Sequence, residues 1–268
     1  VVERTRQTAT NAWSKIRRRP IQAILALLVI AGGITTAVAS TNHVAFTGCG
    51  YGYSGYGYGG YTANGEFVCS AYDHLLNRFP DSGGATYWEN QLSSGGSRSG
   101  VASGILSSAE YRGDLVNSYY VTFLGRASDS GGQAYWVAQL NSGATDQSVL
   151  ANILGSGEFY TNSGSTSAGF VTALYTKLLG RSPESGGLTY WENQLSSGGS
   201  RTGVAYDIAT SSEYRGDLVS SYYETFLGRA SDSGGQAYWV AQLNGGASNE
   251  SVIANFIGSP EFYMDATT

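Results

Sequence analysis

LGRASDSGGQAYWVAQ occupies residues 124–139, and the same sixteen residues return unchanged at 227–242. Two looser copies stand at 76–91 (LNRFPDSGGATYWENQ) and 179–194 (LGRSPESGGLTYWENQ). The four Tyr-Trp pairs, Tyr87-Trp88, Tyr135-Trp136, Tyr190-Trp191 and Tyr238-Trp239, are spaced 48, 55 and 48 residues apart. Units one and three, and units two and four, are therefore each offset by 103. The seven additional residues of the middle gap match the polar stretch Thr161–Ser167, which reads as a linker. A period of this size marks a repeat architecture, in which one small unit covers its apolar face with the next.

Each unit reads as helices. Phe170, Leu174 and Leu178 recur at i, i+4 and i+8, the apolar stripe of a helix. That helix stops at Gly180, and the matching positions are Gly125, Gly228 and Asn77, the residues that accept a left-handed C-terminal cap. The next helix opens at an acid-Ser-Gly-Gly run (Asp81, Asp129, Glu184, Asp232), where Asp caps exposed backbone N–H groups and Glu does so less well. Ala85, Trp88 and Leu92 share one face, which assigns Trp88 to the core and turns Tyr87, about 100° away, outward. A third helix carries Val101 and Ile105, or Val149 and Ile153, and Ser107-x-x-Glu110 and Thr210-x-x-Glu213 have the capping-box pattern. Ser259-Pro260 supplies a cap and a first-turn proline at the same place. Strand-like alternation is absent, so the expectation is an all-α protein. It has two tandem helical domains, 66–160 and 168–268, joined by the linker 161–167, and each is a pair of units of about 48 residues sharing one core.

The N-terminal quarter differs. Residues 1–20 form a basic segment with six Lys and Arg against Glu3, whereas residues 20–268 hold nine basic and nineteen acidic side chains. Residues 21–39 are apolar apart from Gln22, Thr35 and Thr36, long enough as a helix to cross a bilayer core. Either this is the h-region of a signal peptide cleaved after Ala37-Val38-Ala39, or it is retained as a transmembrane anchor. Both place the remainder outside, at the cell surface or beyond, because Arg17–Arg19 stay on the cytoplasmic side. Residues 40–65 read as a Gly/Tyr-rich tether loop. Cys49 and Cys69, the two cysteines of the chain, most simply form one disulfide in an oxidising space and staple that loop. Between them lie Tyr51, Tyr53, Tyr56, Tyr58 and Tyr61, an adhesive row or a low-complexity spacer.

The core pattern LGR-x-x-D-S-G-G-x-x-Y-W, followed by a Gly-rich turn and S-x-E-[YF], resembles a bacterial repeat family known as domain of unknown function 4214. More distantly it is similar to the helical phycobilisome linker domain, a likeness that bears on fold. The resemblance covers about three quarters of the chain; Asn77 for Gly, Glu184 for Asp and Leu188 after the second Gly are departures. It implies a helical fold and the setting of secreted and surface-layer-type proteins, and it implies no activity.

Chemistry is sparse. His43 lies in the tether and His74 is matched by Lys177, so no base recurs for a nucleophile and no His/Cys set forms for a metal. No catalytic residue, cofactor or metal is expected, and a net charge of −5 argues against nucleic acid. Arg78, Arg126, Arg181 and Arg229 stand three residues before the four acids, a pairing that would buckle the turn, with Arg also donating to its helix's last carbonyls. Tyr87, Tyr135, Tyr190 and Tyr238 are the candidate stacking contacts. Arg112-Gly113-Asp114 and Arg215-Gly216-Asp217 spell an integrin tripeptide but fall inside expected helices, and the D-S-G-G runs lack the acids of a calcium loop. The sequence therefore points to a non-enzymatic extracellular scaffold or adhesion protein, whose partner is itself or an extracellular polymer, with membrane contact through residues 21–39 if uncleaved. The alternative is a glycan or cell-wall polysaccharide binder.

Overall fold

The computed structural model describes residues 62–267. Among these the protein is all-helical, with fourteen helices and no strand. Unit one supplies α1 (Ala63–Leu76), α2 (Ser82–Ser93) and α3 (Arg98–Leu106). Unit two supplies α4 (Ala109–Tyr119, continued by a π-helical turn Tyr120–Leu124), α5 (Ser130–Asn141), α6 (Asp146–Leu154) and the short α7 (Gly157–Asn162). Unit three repeats unit one as α8 (Ser167–Leu174, continued by a π-helical turn Tyr175–Leu179), α9 (Ser185–Ser196) and α10 (Arg201–Ala209). Unit four repeats unit two as α11 (Ser212–Leu227), α12 (Ser233–Asn244), α13 (Asn249–Ile257) and α14 (Pro260–Thr267).

The helix ends follow local chemistry. Asp81, Asp129 and Asp232 each accept from the backbone N–H three residues on, at 2.8 Å, whereas Glu184 makes no such cap; its Oε2 meets Arg181 Nη1 at 3.1 Å instead. The additional methylene of Glu carries the carboxylate past the N–H groups that Asp reaches. Asn77, Gly125, Gly180 and Gly228 end their helices in the left-handed conformation. Two expectations are corrected. Helix α1 starts at Ala63, inside the stretch assigned to the loop 40–65, because Thr62 caps it through Gly65 N–H. The caps of α4 and α11 are Ser108 and Ser211, one residue after the expected Ser107 and Thr210, which bond instead to carbonyls of the preceding helix.

The packing runs across residues 161–167. Helix α6 of unit two lies on α10 of unit three, and its 103-residue counterpart α13 lies on α3 of unit one. The backbones nearly touch at both places. A Cβ on Gly155 would stand 2.7 Å from Thr202 N, and one on Gly258 2.7 Å from Ser99 N, so only glycine fits either seam. Helix α14 packs on α1 as α7 does on α8, with Phe262 edge-on to Phe67 at 6.0 Å and Phe159 edge-on to Phe170 at 5.9 Å. One apolar cluster consequently joins all four units, from Phe67, Leu75 and Leu106 through Leu154, Phe159, Phe170 and Leu178 to Tyr222, Leu243 and Phe262. The two halves close on each other about a pseudo-two-fold axis. Residues 103 apart meet on it: Asn249 Nδ2 donates to Asp146 Oδ2 at 2.6 Å, and both side chains are buried.

No described helix is long and apolar enough to cross a membrane; the apolar stretch 21–39 lies outside the described residues. So do Cys49 and the loop tyrosines Tyr51, Tyr53, Tyr56, Tyr58 and Tyr61, whereas Cys69 is buried in α1.

Candidate functional site

The repeated motif builds one surface element four times. Tyr87, Tyr135, Tyr190 and Tyr238 are the exposed large aromatics of their helices, with 54–57% of their surface open. Each ring stands edge-on to the Trp that follows it, centroid to centroid 4.7–4.9 Å at 74–77°. The Trp side chains are half-buried against the core rather than within it, a correction to the placement of Trp88. The reason is a polar partner: Trp88, Trp136 and Trp191 donate their indole N–H to the hydroxyls of Tyr72, Tyr120 and Tyr175, at 3.1–3.2 Å. An indole N–H turned away from water needs such an acceptor, and these tyrosines stand at the margin of the core.

Those tyrosines, sixteen residues before each Trp, were not singled out from the sequence, and they account for the second glycine of each run. A Cβ on Gly84, Gly132, Gly187 or Gly235 would lie 2.1–3.0 Å from the hydroxyl of Tyr72, Tyr120, Tyr175 or Tyr223. In unit four, Phe256 replaces Ile105, Ile153 and Ile208, stacks on Trp239 at 5.2 Å, and stands edge-on to Tyr223 at 4.9 Å; the indole-to-hydroxyl bond is not made there.

The recurring arginines complete the element, with a different partner from the one expected. Each guanidinium lies over the ring of that same Tyr, 4.8–5.2 Å from its centroid. Each also grips a glutamate 32 residues on with two parallel bonds: Arg78 to Glu110, Arg126 to Glu158, Arg181 to Glu213 and Arg229 to Glu261, Nε to Oε1 at 2.5–2.6 Å. This geometry fits a guanidinium to a carboxylate and ties the end of each unit's first helix to the helix that follows its third. The Arg beside each glutamate holds its carboxyl below the ordinary carboxylate range. The acid three residues on is a weaker contact, at 3.7 Å for Asp129 and Asp232 and 3.1 Å for Glu184, and Asp81 makes no ion pair with Arg78. The carbonyls the arginines bond are those of the next residue (Phe79, Ala127, Ser182, Ala230), not the last of the helix. A Glu recurs twenty-two residues after each Trp, and that register is the available signal; at Glu110 and Glu213 the local pattern of a capping box masks it.

Both Arg-Gly-Asp tripeptides are helical, in α4 and α11, and their arginines bond Asn141 and Asn244 of the following helices. Among the described residues no group of three or more His, Cys, Asp and Glu converges as a metal site. His74 bonds its own helix through Ser70 O at 2.8 Å, and Lys177, its counterpart, donates to Thr122 O at 3.1 Å.

One acid is out of the ordinary. Burial, then the charge of Glu250, pushes the Asp146 carboxyl well above the usual carboxylate range. Four buried tyrosines, Tyr111, Tyr119, Tyr214 and Tyr222, sense its charge around the axis and are themselves pushed up, chiefly by burial. A cleft of about 330 Å³ opens beside it, lined by Ser103, Arg112, Thr145, Ser248 and Glu250.

Compared with known families, the chain matches a profile described as domain of unknown function (DUF4214) in four segments, residues 55–115, 112–163, 150–218 and 214–265. The chain belongs to this family. Its repeat corresponds to the unit assembled above, in which Tyr, Arg, Trp and Glu from neighbouring helices interlock. No curated protein and no solved structure matched the chain.

Proposed function

We propose that this DUF4214 protein is a non-enzymatic scaffold or adhesion protein of the cell surface or extracellular space. The observation that carries the reading is the fourfold display of one exposed Tyr, each pinned at the same angle by its Trp, on a body with a single core. Four equal and fixed contacts suit a partner that is itself repetitive, since linked weak contacts multiply into avidity without any one being strong. Export follows the reading of residues 1–39, with the apolar stretch either cleaved or kept as an anchor. The tyrosine-rich loop then lies between membrane and helical body, and a Cys49–Cys69 disulfide would close it onto α1.

A second reading, a glycan or cell-wall polysaccharide binder, is favoured by the exposed rings themselves, because sugars stack on aromatic faces and bond to phenolic hydroxyls. Sedimentation of the purified chain separates the two, first alone over a concentration series, then with insoluble peptidoglycan and polysaccharides. Growth of larger species without added polymer supports the scaffold. Retention on a polysaccharide, lost when Tyr87, Tyr135, Tyr190 and Tyr238 become Ala with helicity unchanged, supports the glycan reading. A chain that stays monomeric and is retained on nothing contradicts both.

A further inference from the structure

The two seams between the halves are built alike but joined differently. At one, α7 leads into α8 through residues 163–166. At the other, α14 and α1 lie at opposite ends of the described chain and are held by contacts alone. The contacts correspond residue by residue: Tyr160 stands 6.1 Å from Phe170, and Tyr263 stands 6.1 Å from Phe67. Arg201 lies 4.5 Å over Tyr160, and Arg98 lies 4.3 Å over Tyr263. Every one of these pairs joins the first half, residues 62–164, to the second, residues 165–267.

We propose that a second copy of this chain is a partner for these seams, two copies exchanging halves about residues 163–165. The inference rests on the scaffold reading, to which it adds the mode of self-association. Three observations support it. Each half presents the whole complementary face of the other, so the exchanged form makes every contact of the closed form. The connection is short and held back on itself: Gly164 has φ +90° and Ser165 φ +56°, a left-handed conformation that an L side chain resists, and a Cβ on Gly169 would stand 2.2 Å from Ser163 O. A short hinge under strain favours exchange, which lets it extend. Finally, the axis selects the pairing. Asp146 meets Asn249, so a first half accepts a second half, whereas two first halves would set one buried carboxyl against another. Exchange can close after two copies or continue copy to copy, and copies crowded on one surface favour it over closure within a chain.

The test places cysteines at both partners of a seam contact, Arg98→Cys with Tyr263→Cys, in the full chain. The chain is concentrated stepwise, passed through mild denaturant, treated with a flexible bis-maleimide that spans the gap left by the Arg98 and Tyr263 side chains, and run on a denaturing gel. The unsubstituted chain, which carries Cys49 and Cys69, and each single variant serve as references. Bonds between chains in the double variant alone, increasing with concentration, are the expected result. A second variant lacking residues 163–165, too short to close on itself, is expected to sediment at twice the chain mass with its helicity intact. Linkage confined within one chain at every concentration overturns the proposal. If larger species form under that result, self-association uses another surface and the scaffold reading stands; if none form, both fall.

Discussion

The hydroxyl of Tyr120 shows how much rests on single atoms. It accepts the indole N–H of Trp136 at 3.2 Å, its ring carries the Arg126 guanidinium, and Gly132 leaves it room. Gly132→Ala sets a Cβ 2.8 Å from that oxygen and is expected to lower stability by about 1–3 kcal/mol, the usual cost of overpacking, with a red-shifted Trp emission. Gly131→Ala, whose Cβ meets only Asp129 Oδ1 at 3.4 Å, is the control that leaves emission unchanged. Arg78→Ala removes a half-exposed bidentate pair and a cation–π contact together. Screened by solvent, these are worth about 1 kcal/mol, to be read as a lower urea midpoint. Titration adds two opposite signs. Glu110, Glu158, Glu213 and Glu261 are lowered when folded, so their contribution is present above the ordinary glutamate range and lost as pH falls through their folded values. Asp146 is raised, so its contribution is present below the ordinary aspartate value and lost as pH rises through its folded one. Its Oδ1 and that of Asn249 have no partner among the described residues. Asp146→Asn removes the ionisation, and the variant is expected to gain on the parent steadily as pH rises in parallel unfolding series; a constant gap would refute the assignment.

At the scale of the element, caps and stripes were legible in the sequence because they are local. Phe170, Leu174 and Leu178 are fully buried as their spacing required, Asn77 takes the left-handed cap, and Glu184 fails to cap where Asp81, Asp129 and Asp232 succeed. Glu184→Asp should therefore restore the missing cap of α9 and raise the unfolding midpoint, whereas Asp129→Glu should lower it. What escaped was whatever joins helices distant in sequence. Glu110 at the third position after Ser107 has the form of a capping box, and nothing nearby reveals that Arg78 claims it. Tyr72 reads as one more aromatic on an apolar face until Trp88 is folded against it. In both cases the repeat period carried the signal, since Tyr, Arg, Trp and Glu recur in fixed register four times.

The whole molecule is where the sequence said least. Duplication suggested two bodies in tandem, but an offset of 103 cannot tell halves that follow each other from halves that close on each other. The deciding contacts, Gly155 on Thr202, Gly258 on Ser99 and Phe262 on Phe67, become visible only in three dimensions. If closure makes one cooperative body, damage at one seam must be felt at the other. Phe262→Ala removes a fully buried ring between α14 and α1, at an expected cost of about 3–5 kcal/mol. Native-state hydrogen exchange of that variant, read at the slowest amides of α6 and α10 across the molecule, is the measurement to make. A loss of protection there equal to the loss in α1 and α3 is the predicted result. Protection of α6 and α10 unchanged from the parent, with the loss confined to α1, α14 and their neighbours, would contradict the closed body.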